Sequence, residues 1–315
     1  VVSVIMPIFN RAHLIEETII SIKNQTYGNW ECVIIDDGST DNTFMKTQSL
    51  IDKDSRFHLY KRPENITKGP SACRNFAITK IKGEYIQFFD SDDIMHPNHL
   101  ELKIAAIKNN DLTVCKLQSF KGKFKEEQFL KEDKEELIKS ENIFEDFVTG
   151  KFPMMMVAPL WRVSSLKPHL PIREDLHILE DHELYARALF KTKKVALVNK
   201  TLIFYRVGET SSTNSFYRNV TYGLHSFLEA KRTVLKLSQA KKVKLAILKM
   251  TLGVFRQALA ERNFKASKEC LHFIDTEHLC YSKKLKLKYF RVKFFYKLFK
   301  LIKRGDTKFK PLFKI

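Results

Sequence analysis

Three short acidic clusters hold the residues of this 315-residue chain whose types and spacing could do chemistry. Asp90-Ser91-Asp92-Asp93 puts three carboxylates into four residues. Such a cluster repels itself unless something positive sits there. A divalent ion bound to a diphosphate is one such charge, because hard oxygen ligands suit Mg²⁺ or Mn²⁺. Alternate spacing lets Asp90 and Asp92 reach the same side. The plain alternative is a turn and helix N-cap ahead of Pro97. Asp36-Asp37-Gly38-Ser39 is a second acid pair. A carboxylate there can accept from a base N–H or a ribose hydroxyl, or it can simply cap a turn. Glu180-Asp181 opens a helical pattern that runs from Leu179 to Lys191. A carboxylate there can act as a general base, and a helix N-terminus favours its ionised form. An ordinary acidic first turn has the same composition.

The elements that must position these clusters are legible from periodicity. Val2–Ile8, Trp30–Ile35, Phe57–Lys61, Glu84–Phe89 and Leu112–Leu117 are short apolar runs and predict buried strands. Between them lie helical patterns over Ala12–Gln25, the segment capped by Asp36–Asp41, Pro70–Ile81 and Pro97–Asn109. This alternation with short loops predicts a mostly parallel sheet covered by helices. Ligands of such sheets bind outside the carboxyl ends of the strands, where two of the acidic clusters fall. From Phe120 to Glu141 the pattern dissolves into Lys and Glu and predicts a loop or solvated helix. Pro153–Trp161 is strongly apolar, with Met154, Met155 and Met156 in a row, favouring core packing over an acceptor contact. Val195–Arg206 predicts one or two strands, and everything from about Ser215 onward is helical and basic.

Taken together, these segments resemble the inverting family 2 glycosyltransferases. The resemblance runs through Val2-Ser3-Val4-Ile5-Met6-Pro7-Ile8-Phe9-Asn10, Ser21 to Gln25-Thr26, and Asp36-Asp37-Gly38-Ser39-Thr40-Asp41. It continues in Arg74-Asn75, Gly83-Glu84-Tyr85-Ile86, Asp90-Ser91-Asp92-Asp93, and Glu180-Asp181 followed by Leu184 and Arg187. It covers about residues 2–210 and implies a GT-A, Rossmann-like α/β fold followed by a helical C-terminal region. It further implies that Pro7, Phe9 and Asn10 line a nucleoside pocket, that Asp37 contacts the base and Asp90 the ribose, and that Asp92 binds Mn²⁺ or Mg²⁺ on the donor diphosphate. Asp181 would take the proton of the acceptor hydroxyl, with Glu180 beside it. Arg74 is open between a phosphate contact and a carboxylate partner. The implied reaction moves a hexose or N-acetylhexosamine from a UDP-sugar to a glycan or lipid-linked glycan, with inversion, in bacterial capsule, lipopolysaccharide or other surface polysaccharide synthesis. The implied organisation is a catalytic domain over 1–210, with a nucleotide-sugar half at 1–115 and an acceptor half at 116–210, and a basic helical region at 211–315. Two positions depart from the family's habit. Tyr205-Arg206 is followed by Val207-Gly208-Glu209 where many relatives have His, and Leu179 stands where many have Gly before the acid pair.

Composition narrows the alternatives. The net charge is +19, and residues 281–315 hold thirteen Lys or Arg against Asp306 alone. On a helical wheel Lys286, Lys293, Lys297, Lys300 and Arg304 form a stripe against a broad aromatic surface. That pattern predicts a helix lying on an anionic membrane surface, or one packed on the catalytic domain with a solvated basic edge. No recognised nucleic-acid motif accompanies the charge, so nucleic acid is not expected as a partner. Cys32, Cys73, Cys115, Cys270 and Cys280 are scattered, without a CxxC pair, which fits a reducing compartment. With no transmembrane-length apolar run and no signal pattern, the expectation is a cytoplasmic protein, peripheral at the inner face of the membrane. Two rivals remain. A nucleotidyltransferase would need a glycine-rich triphosphate loop, which Asn10-Arg11-Ala12-His13 is not. A catalytically inactive glycan- or membrane-binding scaffold would have no need of Asp92 and Asp181. His96 and His99, near the acid cluster, are expected to belong to the following helix rather than to a metal site.

Overall fold

The computed structural model describes residues 1–130, 140–192, 194–208, 216, 218–302, 310–313 and 315. The chain divides into two compact units. The first is Val1–Ile143, Pro153–Glu174 and Ala188–Glu209; the second is Phe144–Phe152, Asp175–Arg187 and Thr210–Ile315.

The first unit is built on one eight-stranded sheet. Its elements are β1 (Val2–Ile8), α1 (Ile15–Lys23), β2 (Trp30–Asp36), α2 (Thr43–Ile51), β3 (Phe57–Lys61), α3 (Pro70–Ile78), β4 (Tyr85–Phe88), β5 (Ile94–Met95), α4 (His99–Ile107), β6 (Leu112–Phe120), β7 (Pro159–Arg162) and β8 (Val195–Arg206). The order across the sheet is β3-β2-β1-β4-β7-β6-β8-β5. β1 and β2 are buried along their whole length, which is why they read as continuous apolar runs rather than alternating ones. They pair in parallel with each other, β1 with β4 and β2 with β3.

The second half of the sheet departs from the sequence expectation. The strand at 112–120 does not continue the parallel series beside β4. β7, drawn from the apolar stretch 153–161, inserts between them and runs antiparallel to both. Met154 and Met156 are buried beside it while Met155 is partly exposed, so that stretch is core. The segment after β6 is also less solvated than its Lys and Glu suggested. Phe120, Phe124, Phe129 and Phe204 form an edge-on aromatic cluster that ties it to β8. Residues 131–139 of that stretch lie outside the described residues.

Close packing explains one glycine of the family-like pattern. A Cβ on Gly83 would lie 2.5 Å from Ser3 Oγ and 2.8 Å from the Val1 carbonyl, too close for any side chain. Gly83 N–H instead donates to Ser3 Oγ, which donates to Glu31.

The second unit is helical. It comprises α5 (Ile143–Val148, all but its first residue), the first turns of α6 (Glu180–Lys191), α7 (Val220–Leu237), α8 (Lys241–Ala260), α9 (Phe264–Thr276) and α10 (Lys283–Ile302). Its core includes Phe147, Leu184, Val220, Leu224, Val234, Ile247, Phe255, Phe273 and Val292. Asn219 caps α7 and Asn263 caps α9 through side-chain acceptors. Among the described residues no helix is long and apolar enough to cross a membrane.

α10 is partly packed. Tyr289, Val292 and Phe299 are buried, Tyr289 donates to the Leu271 carbonyl, and Lys293 reaches both oxygens of Asp275 at 2.7–2.8 Å. Lys293, partly exposed, is thus tied to α9 through Asp275. The opposite face exposes Leu287, Phe290, Phe294, Leu298 and Leu301, which at 100° per residue fall within one narrow arc. Arg304, expected in the basic stripe, lies outside the described residues.

Candidate functional site

The loops at the carboxyl ends of β1, β2 and β4 hold most of the residues that the sequence singled out. After β1 the chain turns at Asn10, which adopts a left-handed φ of 50°, a conformation Asn tolerates better than most residues. Asn10 Oδ1 accepts from the backbone of Thr40 at 2.8 Å, clasping this loop to the one after β2. In that second loop Asp36 Oδ2 accepts from Gly38 and Ser39 N–H, and Gly38 supplies the positive φ of 80° that the turn needs. Asp36 is thus occupied by its own turn. Asp37 is left to face Arg62, whose Nε lies 2.5 Å from Asp37 Oδ1. Pro7 is buried in β1 and Phe9 is partly exposed, with Lys68 Nζ 4.1 Å from its ring centroid.

The third loop carries Asp90-Ser91-Asp92-Asp93. Arg74, buried on α3, reaches Asp90 Oδ1 at 2.7 Å, so the structure gives this arginine a carboxylate partner. Arg11 Nε stands 3.4 Å from Asp92 Oδ2, close enough for attraction and longer than a hydrogen bond. Burial first, and then the Asp90 charge, push the Asp92 carboxyl up from the ordinary carboxylate range, against the pull of Arg11. Asp93 is fully buried and held well above that range by burial and by its two acidic neighbours. It accepts the Arg206 N–H and serves the fold.

Sequence reasoning missed what fixes this loop. Thr18 on α1 donates to the Ser91 and Asp93 carbonyls, Ser21 accepts from Met95 N–H, and Gln25 bridges His96 and Leu100. The Ser21-to-Thr26 pattern of the resemblance is therefore a clamp on the acidic loop. Arg206 completes it from the end of β8. It donates to the Asp92 and Gly122 carbonyls, pairs with Glu17 at 2.6 Å and stacks over Phe120. The signal was present in Tyr205-Arg206, but nothing in the sequence paired residue 206 with residue 17. Arg11 and Arg62 were missed for the same reason: basic residues in loops announce no partner. His99 is buried between the Leu202 carbonyl and Gln87, and His96 accepts from Asn98 N–H, so both histidines serve α4 and its entry as expected.

Among the described residues no group of three or more His, Cys, Asp or Glu side chains forms a cage for a metal. A cation that shares a diphosphate needs only one or two protein carboxylates. Asp92 fits that need, because it is partly exposed and only loosely met by Arg11.

Glu180 and Asp181 belong to the second unit, at the start of α6. Leu179 ahead of them has a φ of 61°, the left-handed region that glycine enters freely and leucine does not. The backbone thus keeps the turn a glycine would make, with leucine in it. Asp181 Oδ1 accepts the His182 N–H at 2.6 Å. His182 stacks on Phe147, with 4.8 Å between centroids. Glu183 is buried and paired with Arg187 at 2.9 Å, which gives the arginine of the motif a carboxylate partner. Glu209, in the stretch after Arg206, lies outside the described residues.

Comparison with known proteins gives the following. Residues 3–164 match the model of Glycosyl transferase family 2. The chain is 40% identical over 112 residues to the UDP-Glc:alpha-D-GlcNAc-diphosphoundecaprenol beta-1,3-glucosyltransferase WfgD of Escherichia coli, covering 36% of this chain and 43% of WfgD. The matched stretch is thus less than half of that relative. The structure of S. aureus TarS 1–349 in complex with UDP-GlcNAc superposes with a TM-score of 0.58 at 17% identity, covering 85% of this chain and 90% of TarS. The mannosyltransferase PcManGT from Pyrobaculum calidifontis, in complex with GDP-Man and Mn²⁺, gives 0.55 at 18%, covering 91% and 82%. The fold is GT-A.

Proposed function

Because the chain belongs to glycosyl transferase family 2, we propose that it transfers a hexose or N-acetylhexosamine from a UDP-sugar to a glycan hydroxyl, with inversion at the anomeric carbon. The observation that carries this reading is the meeting of Asn10, Asp37, Asp90 and Asp92 at the carboxyl ends of three adjacent parallel strands, each already held by a neighbouring loop or arginine. Pro7, Phe9 and Asn10 line the nucleoside, Asp37 accepts from the base and Asp90 from the ribose. Arg74 keeps Asp90 in place for that contact. Asp92 holds Mn²⁺ or Mg²⁺, which when bound offsets the charge that builds on the leaving diphosphate. Asp181 takes the proton of the attacking hydroxyl, and Glu180 orients it. In this reading residues 1–115 bind the donor, 116–210 serve the acceptor, and 211–315 form a basic helical region.

WfgD's name supports a UDP-linked donor and a diphosphoundecaprenol-linked acceptor, and a lipid-linked acceptor of that kind fits surface polysaccharide synthesis. α10 supports contact with an anionic membrane. Its exposed stripe of Leu287, Phe290, Phe294, Leu298 and Leu301 is flanked by Lys284 and Arg291 on one side and by Lys286 and Lys297 on the other. Each such cation near an anionic surface contributes roughly 1 kcal/mol, and the contribution falls with salt. In this reading the protein is cytoplasmic and peripheral at the inner face of the membrane.

The test is a donor screen. Purified protein with Mn²⁺ or Mg²⁺ should release UDP from one UDP-sugar, and chelation should abolish the release. Release from no UDP-sugar, or release unchanged in Asp92→Ala, sinks the reading. Flotation tests the helix: anionic vesicles should carry the protein up, and Phe290→Ser/Phe294→Ser should reduce this. An unchanged flotation rejects membrane contact through this face.

A further inference from the structure

The second unit holds one buried amine that nothing above uses. Lys231 lies on α7 with only 4% of its surface exposed. Its Nζ is 3.2 Å from His182 Nε2 and 5.8 Å from the Phe227 ring centroid. Burial lowers its pKa to about 8, and the nearby Asp181 charge opposes that fall. His182 is held neutral, well below the usual imidazole range, by burial and by Lys231. Its Nε2 therefore accepts from the ammonium and its Nδ1 carries the proton. That Nδ1 is buried without a hydrogen-bond partner among the described residues.

The other ionisable groups nearby are accounted for. Glu183 on α6 is paired with Arg187 and accepts from Thr233. Glu145 and Asp146 on α5 are met by Lys242. A lysine costs several kcal/mol to bury without a compensating charge. His182 joins the two groups here: its Nε2 meets Lys231 Nζ at 3.2 Å, and its backbone N–H donates to Asp181 Oδ1 at 2.6 Å, which makes Asp181 the adjoining carboxylate.

We propose that Lys231 is a positioning residue for Asp181: its buried ammonium, braced by His182, keeps the neighbouring carboxylate ionised so that it can accept the proton of the acceptor hydroxyl. The inference rests on Asp181 being the base. The sign follows from charge. A cation beside a carboxylate lowers its pKa, so removing the cation raises it. A base with a raised pKa is ionised only at higher pH, and activity on the acid side falls.

The experiment is the pH profile of kcat/KM for the full chain and for Lys231→Met and Lys231→Arg. Methionine keeps the stem in the apolar site and removes the charge. The acid limb should move up by about one unit in Lys231→Met, an approximately tenfold loss at pH well below the limb that shrinks above it. Lys231→Arg should leave the limb near its original place. A uniform loss at every pH with an unmoved limb overturns the proposal and leaves Lys231 a packing residue. If circular dichroism shows that Lys231→Met does not fold, Lys231→Gln is read in the same way. Asp181→Asn separates the two ideas. Full turnover in that variant removes the base reading itself, whereas collapse there with an unmoved limb in Lys231→Met removes only the role of Lys231.

Discussion

The acids of the first unit face guanidinium groups, whereas the proposed base of the second shares its neighbour His182 with a buried amine. Arg62 lies on Asp37, Arg74 on Asp90 and Arg11 near Asp92. A guanidinium keeps its charge at any working pH and presents a rigid fork. Near Asp181 the buried cation is Lys231, whose pKa burial lowers to about 8. The first arrangement suits carboxylates that act as fixed ligands through a catalytic cycle. The second suits a carboxylate whose own charge must change when it takes a proton, next to a partner whose charge is adjustable.

Three substitutions probe that contrast, in falling order of effect. Asp181→Asn removes the proton acceptor and should cut turnover by about 10²–10⁴, with UDP affinity by calorimetry unchanged. A variant with near-full turnover, measured where chemistry limits the rate, places the base elsewhere. Arg206→Met unfastens the acidic loop by freeing the Asp92 carbonyl and Glu17. Lost hydrogen bonds to a charged group are worth about 1.5–3 kcal/mol each. We expect metal-dependent UDP binding to weaken about tenfold, roughly 1.4 kcal/mol, with the pH dependence of turnover unmoved. A shift in that dependence would falsify the separation of the two regions' roles. Leu179→Val should be the mildest. A β-branched residue fits a left-handed turn worse than leucine, so the variant should lose about 1–2 kcal/mol in urea unfolding, while Leu179→Gly stays within about 1 kcal/mol of the parent. Equal loss in both would mean that packing of the leucine side chain, not its backbone angle, sets the cost.

The first half of the fold was open to reading because β1 and β2 are buried along their whole length and β4 over all but its first residue. Their sequences are short, largely apolar runs, and those of β2 and β4 lead directly into acids. The second half was not, because strand order is a property of pairing. Pro159–Arg162 has no signal that places it between β4 and β6, and its neighbours in the sheet are far away in sequence. The site divided along the same line. The carboxylates were found because acids cluster locally. Arg11, Arg62, Arg206 and Lys231 were not, because a partner 25 to 189 residues away leaves no mark beside either member. On α10 the wheel showed the stripe of Lys286, Lys293, Lys297 and Lys300, but it could not show that Asp275 pairs with Lys293.

The insertion of β7 also fixes an order of events during synthesis. β4 and β6 emerge from the ribosome well before residues 159–162, yet neither can complete its pairing until that segment arrives between them. For the time it takes to translate about forty residues after β6, and about seventy after β4, at roughly 5–20 residues per second, the two strands present open edges, the template on which chains aggregate. Slower elongation through 121–158 should therefore lower the soluble yield of this protein, and a holdase that shields strand edges should restore it.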